Sequence, residues 1–217
     1  MRHVHVVKRL ATAGLLATGL AATATPAFAA PALAAPGGEG SAYGLNVTGP
    51  LPVPPVPAVS SGGGPVSKSL LRENHTKLVN ASALDVTASA ARARSSVADL
   101  SVPTAKLLAH AVTAKCVGGQ GTAHLARAVL AGKRLDASPP PNTTVPVDID
   151  GLGRTSLTLN KQQRTSDGRL NVTAMELALP GGKGAVRVAS ATCGRTPETP
   201  SEAPAPTPVK HDLPVTG

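Results

Sequence analysis

Cys116 and Cys193 are the only cysteines in the chain, and their chemistry is the most direct to assign. In an exported chain an even pair is most simply a disulfide. Each ends a stretch that alternates like a strand, so the bond would staple a middle strand to the last one. Two free thiols in catalysis or metal binding are the alternative, but two cysteines without neighbouring His or Asp make a poor zinc site. His75, His110 and His124 lie in the body of the chain. His110 shares its alternation face with Leu108 and Val112, which predicts a satisfied, partly buried histidine rather than a general base. Serines abound, yet no Gly-x-Ser-x-Gly elbow frames one for a Ser/His/Asp triad. Asp148-Ile149-Asp150-Gly151 has part of a calcium-loop pattern. It lacks the further acidic ligands and terminal glutamate, so it is expected to shape the turn before Gly153. Asn46, Asn74, Asn80, Asn142 and Asn171 each open an Asn-x-Ser/Thr triplet. These read as asparagines in Thr-rich strands and loops. No sequence feature picks out the lysine, asparagine and acidic trio of an intramolecular isopeptide bond. No catalytic, cofactor or metal site is therefore expected, and no cofactor.

Composition sharpens those exclusions. Aromatic residues make up 1% of 217 residues, Tyr43 and Phe28 being the only two. Ring-stacking platforms for sugars, bases or flavins are absent, and a core must be assembled from Ala, Val and Leu. The formal charge is +9, but Lys133-Arg134 is the only adjacent basic pair in the body and tail. Cations scattered this way, without stacking side chains, argue against a nucleic-acid partner and for a solvated surface.

Both ends carry addresses. Arg2, Lys8 and Arg9 precede an uncharged Ala/Leu/Gly stretch over residues 10–22, and Ala27-Phe28-Ala29 supplies a small-x-small site for signal peptidase. Residues 1–29 are read as a signal peptide, so the mature chain starts at Ala30, or at Ala35 if cleavage follows residue 34. The apolar run is shorter than the ~20 residues that span a bilayer, so no stable membrane span is expected in the mature chain. Residues 30–40 read as a flexible linker. Residues 196–212 are Pro-rich and predict an extended, disordered, semi-rigid spacer.

The chain closes on Leu213-Pro214-Val215-Thr216-Gly217, which resembles the LPxTG sorting signal of Gram-positive wall proteins. The resemblance implies that a sortase cuts after Thr216 and passes its acyl group to an amine of the wall precursor. Such signals continue into an apolar span and a basic tail. The sequence stops at Gly217, so the motif is expected to be truncated or the protein released.

Between the ends, residues 41–195 show alternation punctuated by turn residues. Residues 41–47 alternate. The proline-rich residues 51–57 cannot form a central strand, because proline lacks a ladder donor, and predict an edge or wrapping loop. Strands are expected at residues 84–88, at 107–116 and, by a narrower margin over helix, at 88–100. Leu108, His110, Val112, Ala114 and Cys116 are expected on one face. Ala131-Gly132-Lys133 predicts a hairpin, and Asp167-Gly168 a tight turn. Residues 170–179 switch phase near Ala174-Met175, which predicts a bulge or burial on both faces. Residues 185–192 form the last strand. The sum is an all-β domain, an antiparallel sandwich or barrel-like sheet with one disulfide.

Several short motifs recur here in a fixed order. They are Ser41-Ala42-Tyr43-Gly44-Leu45, the Pro-rich residues 51–57, Ala114-Lys115-Cys116, Pro141-Asn142-Thr143-Thr144-Val145, Gly151-Leu152-Gly153, Leu157-Thr158-Leu159-Asn160, Leu170-Asn171-Val172-Thr173-Ala174 and Ala189-Ser190-Ala191-Thr192-Cys193. Their order and spacing resemble the actinobacterial choice-of-anchor P surface proteins over most of residues 41–195. The resemblance implies an exported, β-rich, wall-associated domain, and the family brings no settled activity. The expected function is a structural or interaction role at the cell wall, non-enzymatic, with peptidoglycan or wall polymers as partners. A secreted enzyme or wall-polymer binder with an unrecognised site is the alternative.

Overall fold

The computed structural model describes residues 38–76 and 79–194. The signal segment with Ala27, Ala29 and Ala30, most of the linker, the Pro-rich spacer and Leu213 to Gly217 lie outside the described residues.

Among the described residues fifteen strands follow one another: β1 (Gly40–Thr48), β2 (Val53–Ser61), β3 (Val66–Leu70), β4 (Glu73–Thr76), β5 (Val79–Ala81), β6 (Ala83–Ser89), β7 (Arg92–Val102), β8 (Leu107–Val117), β9 (Gln120–Ala126), β10 (Val129–Leu130), β11 (Lys133–Arg134), β12 (Thr143–Ile149), β13 (Gly153–Arg164), β14 (Leu170–Ala178) and β15 (Ala185–Cys193). The strands form a six-stranded sheet, ordered β12-β13-β14-β15-β1-β2, and a nine-stranded one built around β6, β7 and β8. Every pairing is antiparallel. The fold is all-β, as the alternation predicts, and its two sheets face each other across a single apolar core.

That core holds no ring. Leu45, Leu157 and Val172 of one sheet and Leu84, Val97 and Val112 of the other are fully buried. Small side chains bring the sheets close. A Cβ on Gly44 would lie 2.7 Å from Leu84 of the facing sheet. Most of the proline-rich stretch lies in β2, at the edge of the six-stranded sheet, the position where a strand tolerates missing donors. The hairpin at Ala131-Gly132 joins β10 to β11, and the Asp167-Gly168 turn joins β13 to β14.

One feature departs from simple alternation. On β7 and β8 buried positions step by three instead of two, Val97 to Leu100 and Ala109 to Val112, and at one level of β14 and β15 every residue of 172–175 and 188–191 is buried. Pairing stays one-to-one, so no residue is bulged out. Left-handed residues mark the level, with φ of 52° at Ala189, 49° at Asn160 and 44° at Asp99. A single residue in that region turns the next side chain to the opposite face. At Ala174-Met175, where a bulge or burial on both faces is expected, the outcome is burial on both faces, since residues 172–175 are all buried without a bulge.

The step of three also corrects the reading of β8. Its face inverts between Ala109 and Val112, so Leu108 is 56% exposed and the His110 side chain 64% exposed. Val112, Ala114 and Cys116 do share the core face, and Leu108 and His110 do not. His110 is a surface histidine.

Candidate functional site

Cys116 and Cys193 are bonded, with their Cα atoms 5.6 Å apart, and no free cysteine remains among the described residues. The bond joins the end of β8 in one sheet to the last residue of β15 in the other. It stands where β15 and β1 run side by side, Ser41 opposite Thr192. Residues 38 and 194 therefore lie at one pole of the sandwich. The turns after β1, β12 and β14 lie at the other.

Neither His110 nor His124 sits in a Ser/His/Asp relay. Asp99 accepts a hydrogen bond from Ser82 Oγ at 2.7 Å, while His110 Nδ1 lies 3.5 Å from its other oxygen. Serine and imidazole both address the carboxylate, and neither addresses the other, so nothing withdraws the serine proton. His124 Nδ1 lies 3.4 Å from Ser138 Oγ, but Asp136 takes the Ser138 backbone N–H and not the ring. His75 falls on β4.

Asp148 and Asp150 flank the β12–β13 turn, as expected, and each meets a cation. Arg154 Nε donates to Asp148 at 3.2 Å and Lys106 Nζ to Asp150 at 3.3 Å. No group of three metal-ligating side chains occurs among the described residues.

Glu176 is the best-held charge. On the outer face of the six-stranded sheet it accepts from Lys161 Nζ at 2.6 Å and Arg187 Nε at 2.8 Å. Arg187 also donates to Asn46 Oδ1 at 3.4 Å. Burial pushes the Glu176 carboxyl up, but the hydrogen bonds from Lys161 and Arg187 outweigh it and hold it below the ordinary 4.5. An ionised glutamate between two cations is a clamp across β13, β14 and β15. An isopeptide catalyst needs the opposite, a protonated acid beside a neutral lysine. A carboxyl lowered by folding stabilises fully above its unfolded value, and that stability is lost as pH falls through the folded value. Glu176→Gln is expected to cost about 2 kcal/mol at neutral pH. It should also flatten the loss of thermal stability below about pH 4.5. Thermal melts across that range check both.

Two surfaces remain. At the pole away from residues 38 and 194, a groove of about 390 Å³ is lined by Val47, Pro50, Leu51, Leu152, Leu179 and Pro180. Leu51 and Leu152 are 69% and 56% exposed there. The second surface is basic. On the outer face of β7 and β8, Arg94 stands directly opposite Lys115, and Arg92 opposite Val117. A shallow groove of about 380 Å³ runs between these residues and Thr87 and Ser89 of β6. The hydroxyls beside it bond one another, Ser67 to Thr87 at 3.0 Å and Ser96 to Thr113 at 3.2 Å. None of the ion pairs among the described residues involves Arg92, Arg94 or Lys115. Their convergence is not visible in a linear reading, where they look scattered. Pro103, which opens the tight turn between β7 and β8, is the signal that could have revealed it. Folding the hairpin there brings Arg94 onto Lys115.

Comparison with protein-family models, with curated proteins and with solved structures returns no match.

Proposed function

We propose that the chain is an exported, cell-wall-associated surface protein with a structural or interaction role, and not an enzyme. One observation carries the reading: residues 38 and 194 leave the sandwich at the same pole, through the adjacent strands β1 and β15. A domain joined to the rest of its chain at one pole can be held from that pole while its faces and far end stay accessible. The sequence supplies matching addresses: the signal-peptidase site at Ala27 to Ala30, a Pro-rich spacer, and the sortase-type motif Leu213, Pro214, Val215, Thr216 and Gly217. The histidine geometry supports the non-enzymatic side: His110 meets Asp99 and no hydroxyl, and the long His124–Ser138 contact has no carboxylate orienting the ring.

Incubating the full chain with purified wall fractions tests this. Saturable binding without release of soluble fragments is the expected result. Fragment release that disappears in His110→Ala would replace the reading with an enzymatic one.

A further inference from the structure

We infer that the outer face of the nine-stranded sheet binds an anionic wall glycopolymer, a chain of sugar- or polyol-phosphate units, through Arg92, Arg94 and Lys115. Like charges placed directly opposite each other on neighbouring strands destabilise a sheet. Here Arg94 faces Lys115 in register, with Arg92 two residues along the same strand face. Two carboxylates share this face of β6, β7, β8 and β9: Asp85 stands opposite Ser96, and Asp99 meets Ser82 and His110, so neither pairs with any of the three. The backbone positions that carry neighbouring cations are about 5 to 7 Å apart along and across the strands, so a polymer with repeated anions can touch more than one at once. Ser67, Thr87, Ser96 and Thr113 flank the cations with hydroxyls that suit sugar or polyol oxygens.

The chemistry of the face separates this partner from a nucleic acid. Single-stranded nucleic acids are held by cations together with aromatic platforms on which bases stack. Tyr43, the only aromatic residue among the described residues, belongs to the other sheet. Location favours a wall polymer. Gly194 N donates to Ala90 O at 3.3 Å, which sets the cations beside the pole where the chain leaves the domain. In that respect the inference rests on the proposed display at the wall. Its test does not, because binding in solution needs no anchoring, and anchoring can fail while binding persists.

The experiment titrates the full chain with soluble poly(glycerol phosphate), with neutral dextran, and with single-stranded DNA of matched charge. Binding to poly(glycerol phosphate) alone is expected, with log K falling against log salt at a slope of about −2 for three contacts. Raising salt from about 50 to 200 mM should then weaken binding about fifteenfold. The triple variant R92Q/R94Q/K115Q should lose about tenfold or more in affinity and most of the salt slope. Its thermal midpoint should not fall, since opposed like charges are removed. The variant R72Q/K133Q/R134Q removes three exposed cations at the far pole and should bind as the parent does. Unchanged affinity in the first triple variant, equal losses in both, or DNA binding as tight as poly(glycerol phosphate) would each overturn the inference.

Discussion

A Cys116→Ala/Cys193→Ala double variant is expected to lose about 4 kcal/mol of stability and to melt about 10 °C lower. The figure follows from the 77 residues that separate the bonded cysteines. Releasing a loop of that length returns a large closure entropy to the unfolded chain. The loss matters more here than in most domains of this size. The core is built from Ala, Val and Leu, without a single aromatic anchor, so no one side chain contributes the burial that a ring would. Both cysteines are fully buried between the sheets, and alanine at both positions adds a small cavity to the entropic loss. Chemical denaturation of the parent with and without reductant, beside the double variant, measures the effect. A parent that loses nothing on reduction would remove the bond from the stability account.

Gly184→Ala is the second large effect, expected at about 3 kcal/mol. Gly184 has a φ of 138°, which L side chains rarely adopt, and a Cβ there would clash with the Thr48 carbonyl and lie 2.9 Å from Gly49 Cα. The obstacle is backbone, not a flexible side chain, so the end of β1 must move. That end is held by exchange between Thr48 and Ala185: Ala185 N donates to Thr48 Oγ1 at 3.0 Å, and the hydroxyl donates back at 3.3 Å. Gly182→Ala separates strain from clash. It has a φ of 67° and open space where the Cβ would go, so it should cost only about 1 kcal/mol. Urea midpoints of the two variants, with unchanged slopes, would establish the difference.

Elements whose boundaries are written in local residues are legible in the sequence. Alternation marks β1, β6, β8 and β15, prolines place β2 at an edge, and glycines set the β10–β11 and β13–β14 turns. The cysteine pairing is legible because only one pairing exists. β3, β5 and β12 are not, since β3 is almost wholly exposed, β5 spans three residues, and β12 carries Pro146 at its centre. The inversion on β7 and β8 defeats alternation for a physical reason. A left-handed Asp99 leaves no mark in a pattern of polar and apolar letters, yet the buried face of β7 changes there. For that reason alternation alone sets His110 with the core, and the folded chain does not. The basic face escapes because it is a property of register: Arg92 and Arg94 show themselves as neighbours on one strand, whereas Lys115 joins them only through the hairpin.

The position of the disulfide decides how the domain carries a pull. Tension arriving from the chain beyond Gly194 meets Cys193 one residue later, and passes through sulfur into Cys116 at the end of β8, an interior strand of the opposite sheet. Peeling β15 from β14 and β1, one ladder bond at a time, is bypassed. Lys115 is the next residue along, so a polymer gripped at the basic face and a tether drawn from the pole are joined through a few covalent links. Oxidised, the module transmits load as a rivet does. Reduced, it would have to bear the same load as a zipper.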